Sequence, residues 1–510
     1  MDKIRIIRFA LWSIILVMLG SVITKWVDRN KYHALLVSQH NWDKISLVLQ
    51  QIERNYVDSI DYHAISEKII PEILKELDPH SVYLPPEELK EADDDLKGNF
   101  DGIGITFNVP NDTAIVISVI TGGPSEKVGL VPGDRIVSID GKNVAGVKFP
   151  QDSMVKMMRG RSNTEVCLKV KRGSELVDFN IVRGKIPVKS IDVAYMVNDT
   201  TGYIKLSRFS KTSYFEFLQS MAKLHSEGLK KLIFDLRDNP GGYLDQALYL
   251  ANEFLKKDQL IVYMQGLHRD RQDFTASGNG LSQELELVVL INENSASSSE
   301  IFAGAIQDND RGLIVGRRSY GKGLVQEPVY FSDNSGIRLT VAKYYTPDGR
   351  YIQRPYVKGD KDSYNEDIVE RYLHGEMMDK DSIPEGGGGI IPDIFVPIDT
   401  VGVTDMLVKI NQLSLQTKFS IEMSDRYRKE LQGVSNIEEL NALLDDMELE
   451  SRFKAYMRKN NVPVVKAQWE ISGDIVMTQI RAMVGRYSKL EDEAFYPIIA
   501  KIDNVIQRVI

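Results

Sequence analysis

A single cysteine, Cys167, in a chain of 510 residues excludes an intrachain disulfide. It lies in the alternating run Thr164–Lys171 and reads as a small buried hydrophobe in a strand. The seven histidines are His33, His40, His63, His80, His225, His268 and His374, and no two stand at a metal-ligand spacing. None falls beside the serine cluster described below, which argues against a metallohydrolase and against a Ser-His-Asp enzyme. There is no excess of positive charge: the net charge of −9 argues against a nucleic-acid partner. No phosphate-binding Walker loop is present either, because the run from Gly316 to Lys322 continues to Gly323 where Ser or Thr is required. No repeat or low-complexity tract appears. The chain is expected to need neither metal nor cofactor.

What is present begins at the N-terminus. Lys3, Arg5 and Arg8 precede an apolar run from Phe9 to Thr24, a pattern that predicts an exported chain. An uncleaved single-pass anchor is favoured over a cleaved signal, since no clean cleavage site is visible. Helical periodicity follows at Ile45, Leu47, Val48 and Ile52 and again at Ile65, Ile69, Ile70, Ile73 and Leu74. From Gly98 to about Arg183 short strands alternate with glycine turns, the mark of a compact β-rich module. Strand and helix signals then alternate: the strand Leu232–Leu236, a helix from Tyr243, the strand Glu286–Asn292, the helix Ser298–Gln307 and the strand Leu313–Gly316. That alternation predicts an α/β core on a mostly parallel sheet. Apolar positions Phe215, Phe217, Leu218 and Met221 define one further helix. Residues 357–385 read as an exposed, charged insertion, and the chain is helical beyond Thr400. The expected division is therefore a segment 1–30, a helical region 31–97, the β-rich module 98–185, an α/β domain 186–400 and a helical region 401–510.

Three features carry chemistry. Asn292–Glu300 places Ser295, Ser297, Ser298 and Ser299 at a strand–turn–helix elbow, where a helix N-terminus offers free N–H groups to a developing oxyanion. Helix capping alone also favours serine there, and spacing does not tell the four hydroxyls apart. Lys322 follows in the turn Gly321–Gly323, with Gln326 close behind. A lysine activates a serine only if burial lowers its pKa enough to leave it neutral. Upstream, Arg237–Gly242 reads RDNPGG, a turn whose glycine amides could face a substrate. In the β-rich module, Gly102, Ile103, Gly104 and Ile105 form a glycine nest ahead of an edge strand, suited to a peptide carboxylate.

Taken together and in order, these blocks resemble the carboxyl-terminal processing, or tail-specific, proteases. The resemblance runs from about Leu77 to Pro397 through LDPHSVYL, GGPSEKVGLVPGDRI, DLRDNPGG, NENSASSSEIFAGAIQD, GKGLVQ, LTVAKYYTPDGRYIQ and GIIPD. It implies a PDZ-like domain ahead of a ClpP/crotonase-like α/β protease core, with Ser297 as nucleophile, Lys322 as general base and Gln326 supporting it. Oxyanion donors would be the backbone amides of Gly241 or Gly242 and of Ser298. The family's alanine after the nucleophile is replaced here by Ser298, and Asp238 stands where the family turn carries asparagine. The resemblance further implies an inner-membrane enzyme with its bulk in the periplasm, acting on protein C-terminal tails. An adaptor protein is a candidate partner, and the helical ends are candidate dimerisation elements. The rival reading is a silent PDZ scaffold that binds envelope protein C-termini.

Overall fold

A computed structural model of the protein describes residues 42–109, 112–360, 363, 364, 366 and 388–510. The basic and apolar segment at residues 3–24 lies outside them. Among the described residues no helix is long and apolar enough to cross a membrane. The chain falls into two units, one ending at Ile70 and one running from Pro71 to Ile510. In the first, the helices expected from periodicity form at Trp42–Asn55 and, continuing past the boundary, at Tyr62–Lys75. Their apolar positions are unevenly covered: Ile45, Val48 and Ile69 are exposed, whereas Leu74 is buried.

The second unit opens with LDPHSVYL. Val82–Leu84, in the stretch expected to be helical, forms a short strand that pairs antiparallel with Gly336–Arg338. The β-rich module follows as an antiparallel sheet in the order 105–108, 114–119, 135–139, 165–172 and 175–182, leaving Ile105–Asn108 at an edge. Strands 99–102 and 184–187 pair to close the module where the chain enters and leaves. Its core gathers Val116, Ile136, Leu168 and Ile181 beneath the helix Gln151–Met158. Cys167 departs from expectation: it is half-buried, because Val166, Leu168 and Val170 take the inward positions of its strand.

The α/β domain is built on a six-stranded sheet. Strands 201–206, 231–235, 286–291, 313–316 and 394–395 run parallel, and 191–196 joins one edge antiparallel. Apolar runs such as Leu232–Phe234 and Leu287–Ile291 make central strands because a parallel sheet is covered on both faces. One face packs the helices Ser213–Ser226, Leu244–Asn252 and Ser298–Asp308 through a cluster of Phe217, Phe234, Phe254 and Phe302. These rings meet edge-on at 5.2–5.9 Å. Phe215, expected on the same apolar face, points to solvent instead. The other face is covered by the end of the chain: Val505, Ile506 and Val509 pack on Tyr203, Ile233, Val288 and Leu290. The helical C-terminal region thus completes the α/β domain as well as forming its own core around Phe453, Val476 and Ile480.

A second, antiparallel sheet of strands 82–84, 260–266, 269–275, 324–330 and 336–345 stands beside the first. The C-terminal helices also hold the β-rich module. Arg135 meets Asp425 at 2.5 Å, Asn108 donates to the Tyr487 hydroxyl at 2.7 Å, and Arg428 fills the space a side chain at Gly133 would need.

Phe302 touches both the sheet and the neighbouring helix, and it is fully buried. Phe302→Ala is expected to lower the unfolding free energy by about 3–5 kcal/mol in urea titration, the cost typical of an aromatic cavity.

Candidate active site

The strand Glu286–Ile291 ends in a turn that delivers Ser297 to the start of helix Ser298–Asp308. Ser297 has φ 55° and ψ −113°, a strained backbone for a residue with a side chain. The four serines separate at once. Ser295 Oγ donates to the Leu236 carbonyl at 2.8 Å, Ser298 Oγ to that of Gly242 at 2.9 Å, and Ser299 Oγ to that of Asn239 at 2.9 Å. All three are buried. Ser297 alone of the four is half-exposed, and among the described residues its hydroxyl donates to no main-chain carbonyl.

The RDNPGG turn lies against this elbow. A Cβ on Gly241 would come within 2.6 Å of the Ala296 carbonyl and 2.9 Å of the Ser298 nitrogen, and Gly241 has φ +94°. Glycine is therefore required there on two counts. The Gly241 N–H is already engaged, donating to Asn239 Oδ1 at 2.9 Å, whereas Gly242 N–H has no acceptor among the described residues. The Ser298 N–H, first in its helix, likewise lacks an intrahelical acceptor. Asp238, the departure from the family turn, is a staple between the two loops. Its carboxylate accepts from Asn292 Nδ2 at 2.9 Å and Asn294 Nδ2 at 2.8 Å. Burial opposes its charge, but these two amides outweigh it and hold the pKa below the usual carboxylate range. Beneath the turn Asp235 is wholly buried, with Arg237, Lys205 and the Tyr203 hydroxyl on its oxygens, and Arg237 reaches Asp503 at 2.8 Å. The turn is thereby tied to the last helix of the chain.

Lys322 comes from the turn between strands Leu313–Gly316 and Leu324–Tyr330. Its Nζ donates to Gln326 Oε1 at 2.8 Å, and Gln326 in turn donates through Nε2 to the carbonyl of His80. No hydrogen bond joins Ser297 Oγ to Lys322 Nζ. Burial lowers the lysine pKa to about 8, helped by the Arg338 charge and opposed by Glu300 and Asp78. Serine and lysine are nonetheless fixed to common partners. The buried Glu300 carboxylate accepts the N–H groups of Ser297 and Lys322 at 2.9 Å, that of Gly321 at 2.6 Å and the Ser319 hydroxyl at 2.6 Å. The Tyr344 hydroxyl donates to the Lys322 carbonyl and lies 3.3 Å from that of Ser297. Burial raises the Glu300 pKa to about 7 against the pull of those four donors, each of which favours the ionised form.

Sequence reasoning assigned nothing to Glu300 or Tyr344. The spacing Ser297–x–x–Glu300 before an apolar helix is a capping-box signal that could have singled out the first; Tyr344 carried none. The histidine reading also needs correction, because His80 comes to the site through its backbone carbonyl. Residues 357–385 are not simply exposed either. Val357 is exposed, but Tyr364 is buried and bonded to His80 and Gln353, while most of the remainder lies outside the described residues. In the β-rich module, Gly104 has φ +76° and the carbonyls of Ile103 and Gly104 accept from Ser125 and Ile120. That turn feeds the edge strand Ile105–Asn108 directly. Among the described residues no cluster of side chains could hold a metal ion.

A PDZ-type module ahead of an α/β domain, with a strained serine elbow and a glycine-bracketed lysine tied to one carboxylate, defines the architecture. Residues 102–182 match the PDZ domain profile and residues 200–363 that of peptidase family S41. The chain belongs to this family. A probable CtpA-like serine protease of Staphylococcus aureus strain MRSA252 is 35% identical over 68% of this chain and 72% of its own. Its counterpart in strain N315 is 38% identical over 63% of this chain, which spans only 64% of that relative's length. Among solved structures, the photosystem II D1 C-terminal processing protease is 25% identical, covering 71% of this chain and 88% of its own, at a TM-score of 0.39.

Glu300→Gln keeps the shape but turns an NH2 group toward donors. Two of the four donors would lose their acceptor, at about 1–3 kcal/mol each. The variant is expected to unfold at lower denaturant and to lose about 100-fold in turnover of a tailed peptide, measured by stopped assay, as the elbow and lysine turn separate.

Proposed function

We propose that this chain is a serine endopeptidase that cleaves proteins near their C-terminal tails, with Ser297 as nucleophile and Lys322 as general base. The observation that carries the reading is the contrast among the serines: three hydroxyls are spent on carbonyls, while Ser297 is left accessible and shares the Glu300 carboxylate with Lys322.

A neutral lysine amine has two N–H groups and one lone pair. Gln326 Oε1 can only accept, so it takes an N–H and leaves the lone pair for the Ser297 proton. The amine and serine come within reach when substrate closes the site, since such contacts tighten on binding. Ser297 Oγ attacks the peptide carbonyl as its proton passes to Lys322 Nζ. The amides of Gly242 and Ser298 receive the oxyanion, for the Gly241 N–H is engaged elsewhere. Lys322 returns the proton to the departing amine. Water then enters, gives a proton to Lys322 as it attacks the ester, and Lys322 passes that proton to Ser297 Oγ as the acid product departs. The PDZ module would take the tail at the edge strand Ile105–Asn108 and its carboxylate at Gly102–Ile105. The basic flank and apolar run at residues 3–24 support an exported, membrane-anchored enzyme.

Ser297→Ala and Lys322→Ala are each expected to abolish cleavage of an unstructured peptide with a free apolar C-terminus, followed by mass spectrometry, while the protein stays folded. Turnover by both variants overturns the pair, and none by the wild type favours the scaffold. The active lysine is the neutral one, a fraction that grows as pH rises through about 8. kcat/KM should therefore climb with pH along a limb centred near 8, with about a tenth of its plateau at pH 7. Amidating the peptide's C-terminus should raise KM about tenfold or more and leave kcat alone if the PDZ module reads the carboxylate.

A further inference from the structure

The hydrogen bonds around Lys322 close into a circuit. From Lys322 Nζ the path runs to Gln326 Oε1, and from Gln326 Nε2 to the His80 carbonyl. His80 Nε2 lies 2.9 Å from the Tyr364 hydroxyl, which also accepts from Gln353 Nε2 at 3.1 Å. Gln353 Oε1 accepts the N–H of Gly323 at 2.9 Å, and Gly323 is covalently next to Lys322. One hydroxyl therefore holds both sides of the lysine turn: the LDPHS loop that fixes Gln326, and the backbone that follows the lysine.

The orientations within the circuit are mutually consistent. The Gly323 N–H requires the Gln353 oxygen, so the Gln353 amide nitrogen faces Tyr364 and must donate. The tyrosine then accepts from Gln353 and gives its own proton to His80 Nε2. Tyr364 and Gln353 are both buried, and burial pushes the tyrosine pKa far up, so the hydroxyl keeps that proton. The ring does not depend on the hydroxyl for its place. The Arg354 guanidinium stacks 3.9 Å above it and donates to the Tyr364 carbonyl at 3.0 Å. The His80 backbone is held separately by Asp78, whose carboxylate accepts the N–H groups of His80 and Ser81 at 2.8 Å.

We propose that Tyr364 is a positioning residue for the Lys322 base, acting through His80 and Gln326 on one side and through Gln353 on the other. This rests on the Ser297–Lys322 reading. A base must be aimed as well as neutral, and freedom in Gln326 lets the amine turn to water and regain its proton. The charges facing that amine are Arg338, Glu300 and Asp78, and none of them is altered by removing the Tyr364 hydroxyl. The residue belongs to the stretch that separates YIQ from GIIPD, so the separation places a structural group against the catalytic turn.

The test compares full-length wild type, Tyr364→Phe, Gln326→Ala, the double variant and Lys322→Ala on an unstructured peptide with a free apolar C-terminus. Tyr364→Phe should lower kcat about tenfold with KM unchanged, and move the acidic limb of the pH profile above 8. The double variant should be no slower than Gln326→Ala alone, because the hydroxyl acts through Gln326. Gln353→Met, which empties the other side of the hydroxyl, should shift the limb in the same direction. Wild-type kcat and limb in Tyr364→Phe would sink the proposal. So would a fall in kcat with an unmoved limb, which marks a merely structural hydroxyl, and so would losses that multiply in the double variant. Turnover retained by Lys322→Ala overturns the dyad itself, a failure distinct from that of Tyr364.

Discussion

A single buried carboxylate holds the serine elbow and the lysine turn together. Glu300 lies in the first turn of a helix, and its two oxygens collect N–H groups from Ser297 on one loop and from Gly321 and Lys322 on another, with the Ser319 hydroxyl between. An ionised carboxylate without a cation at contact distance is costly to bury. Here the cost is offset by four donors rather than by a salt bridge, and the balance leaves its pKa near 7. With its oxygens turned to those donors, Glu300 raises the Lys322 pKa less than burial and the Arg338 charge lower it. A close Glu–Lys ion pair would have stabilised the ammonium and raised the lysine pKa.

The remaining elements serve that geometry in layers. The parallel sheet ends its strands at one edge, where the RDNPGG turn and the serine elbow meet and Asp238 ties them. Buried Asp235 and Arg237 anchor the turn to Asp503 in the last helix, so chain far from the elbow in sequence supports it directly. The antiparallel sheet carries Gln326 and Tyr344, and the loop at His80 closes the site from the N-terminal side. GIIPD joins this support as well, since the Ile390 N–H donates to Ser319 Oγ, the hydroxyl that serves Glu300.

Much of this was legible beforehand, for identifiable reasons. The strands of the α/β core announce themselves as unbroken apolar runs, and the β-rich module as alternation cut by glycine turns. The antiparallel sheet was less visible because one of its strands, Arg269–Thr275, is polar and solvent-facing, with every residue but Phe274 exposed. Phe215 and Cys167 were misplaced because periodicity assigns a face without saying what covers it. At the site, a serine cluster, a glycine-bracketed lysine and a glutamine could be named, but not which hydroxyl is free.

By itself the sequence determined the inventory: one module rich in strands and glycine, one α/β core, and a serine elbow and lysine separated by 25 residues, as 322 − 297 gives. Those features are local, written in composition and period. Only the tertiary structure decided which serine keeps an exposed hydroxyl that donates to no described carbonyl, which glycine amide lacks an acceptor among the described residues, and that Glu300, His80 and Tyr364 surround the lysine turn. Each of these depends on a partner distant in sequence, such as the Leu236 carbonyl for Ser295 or the Tyr364 hydroxyl for His80. Such pairings follow from how strands and turns stack, and no local pattern records them.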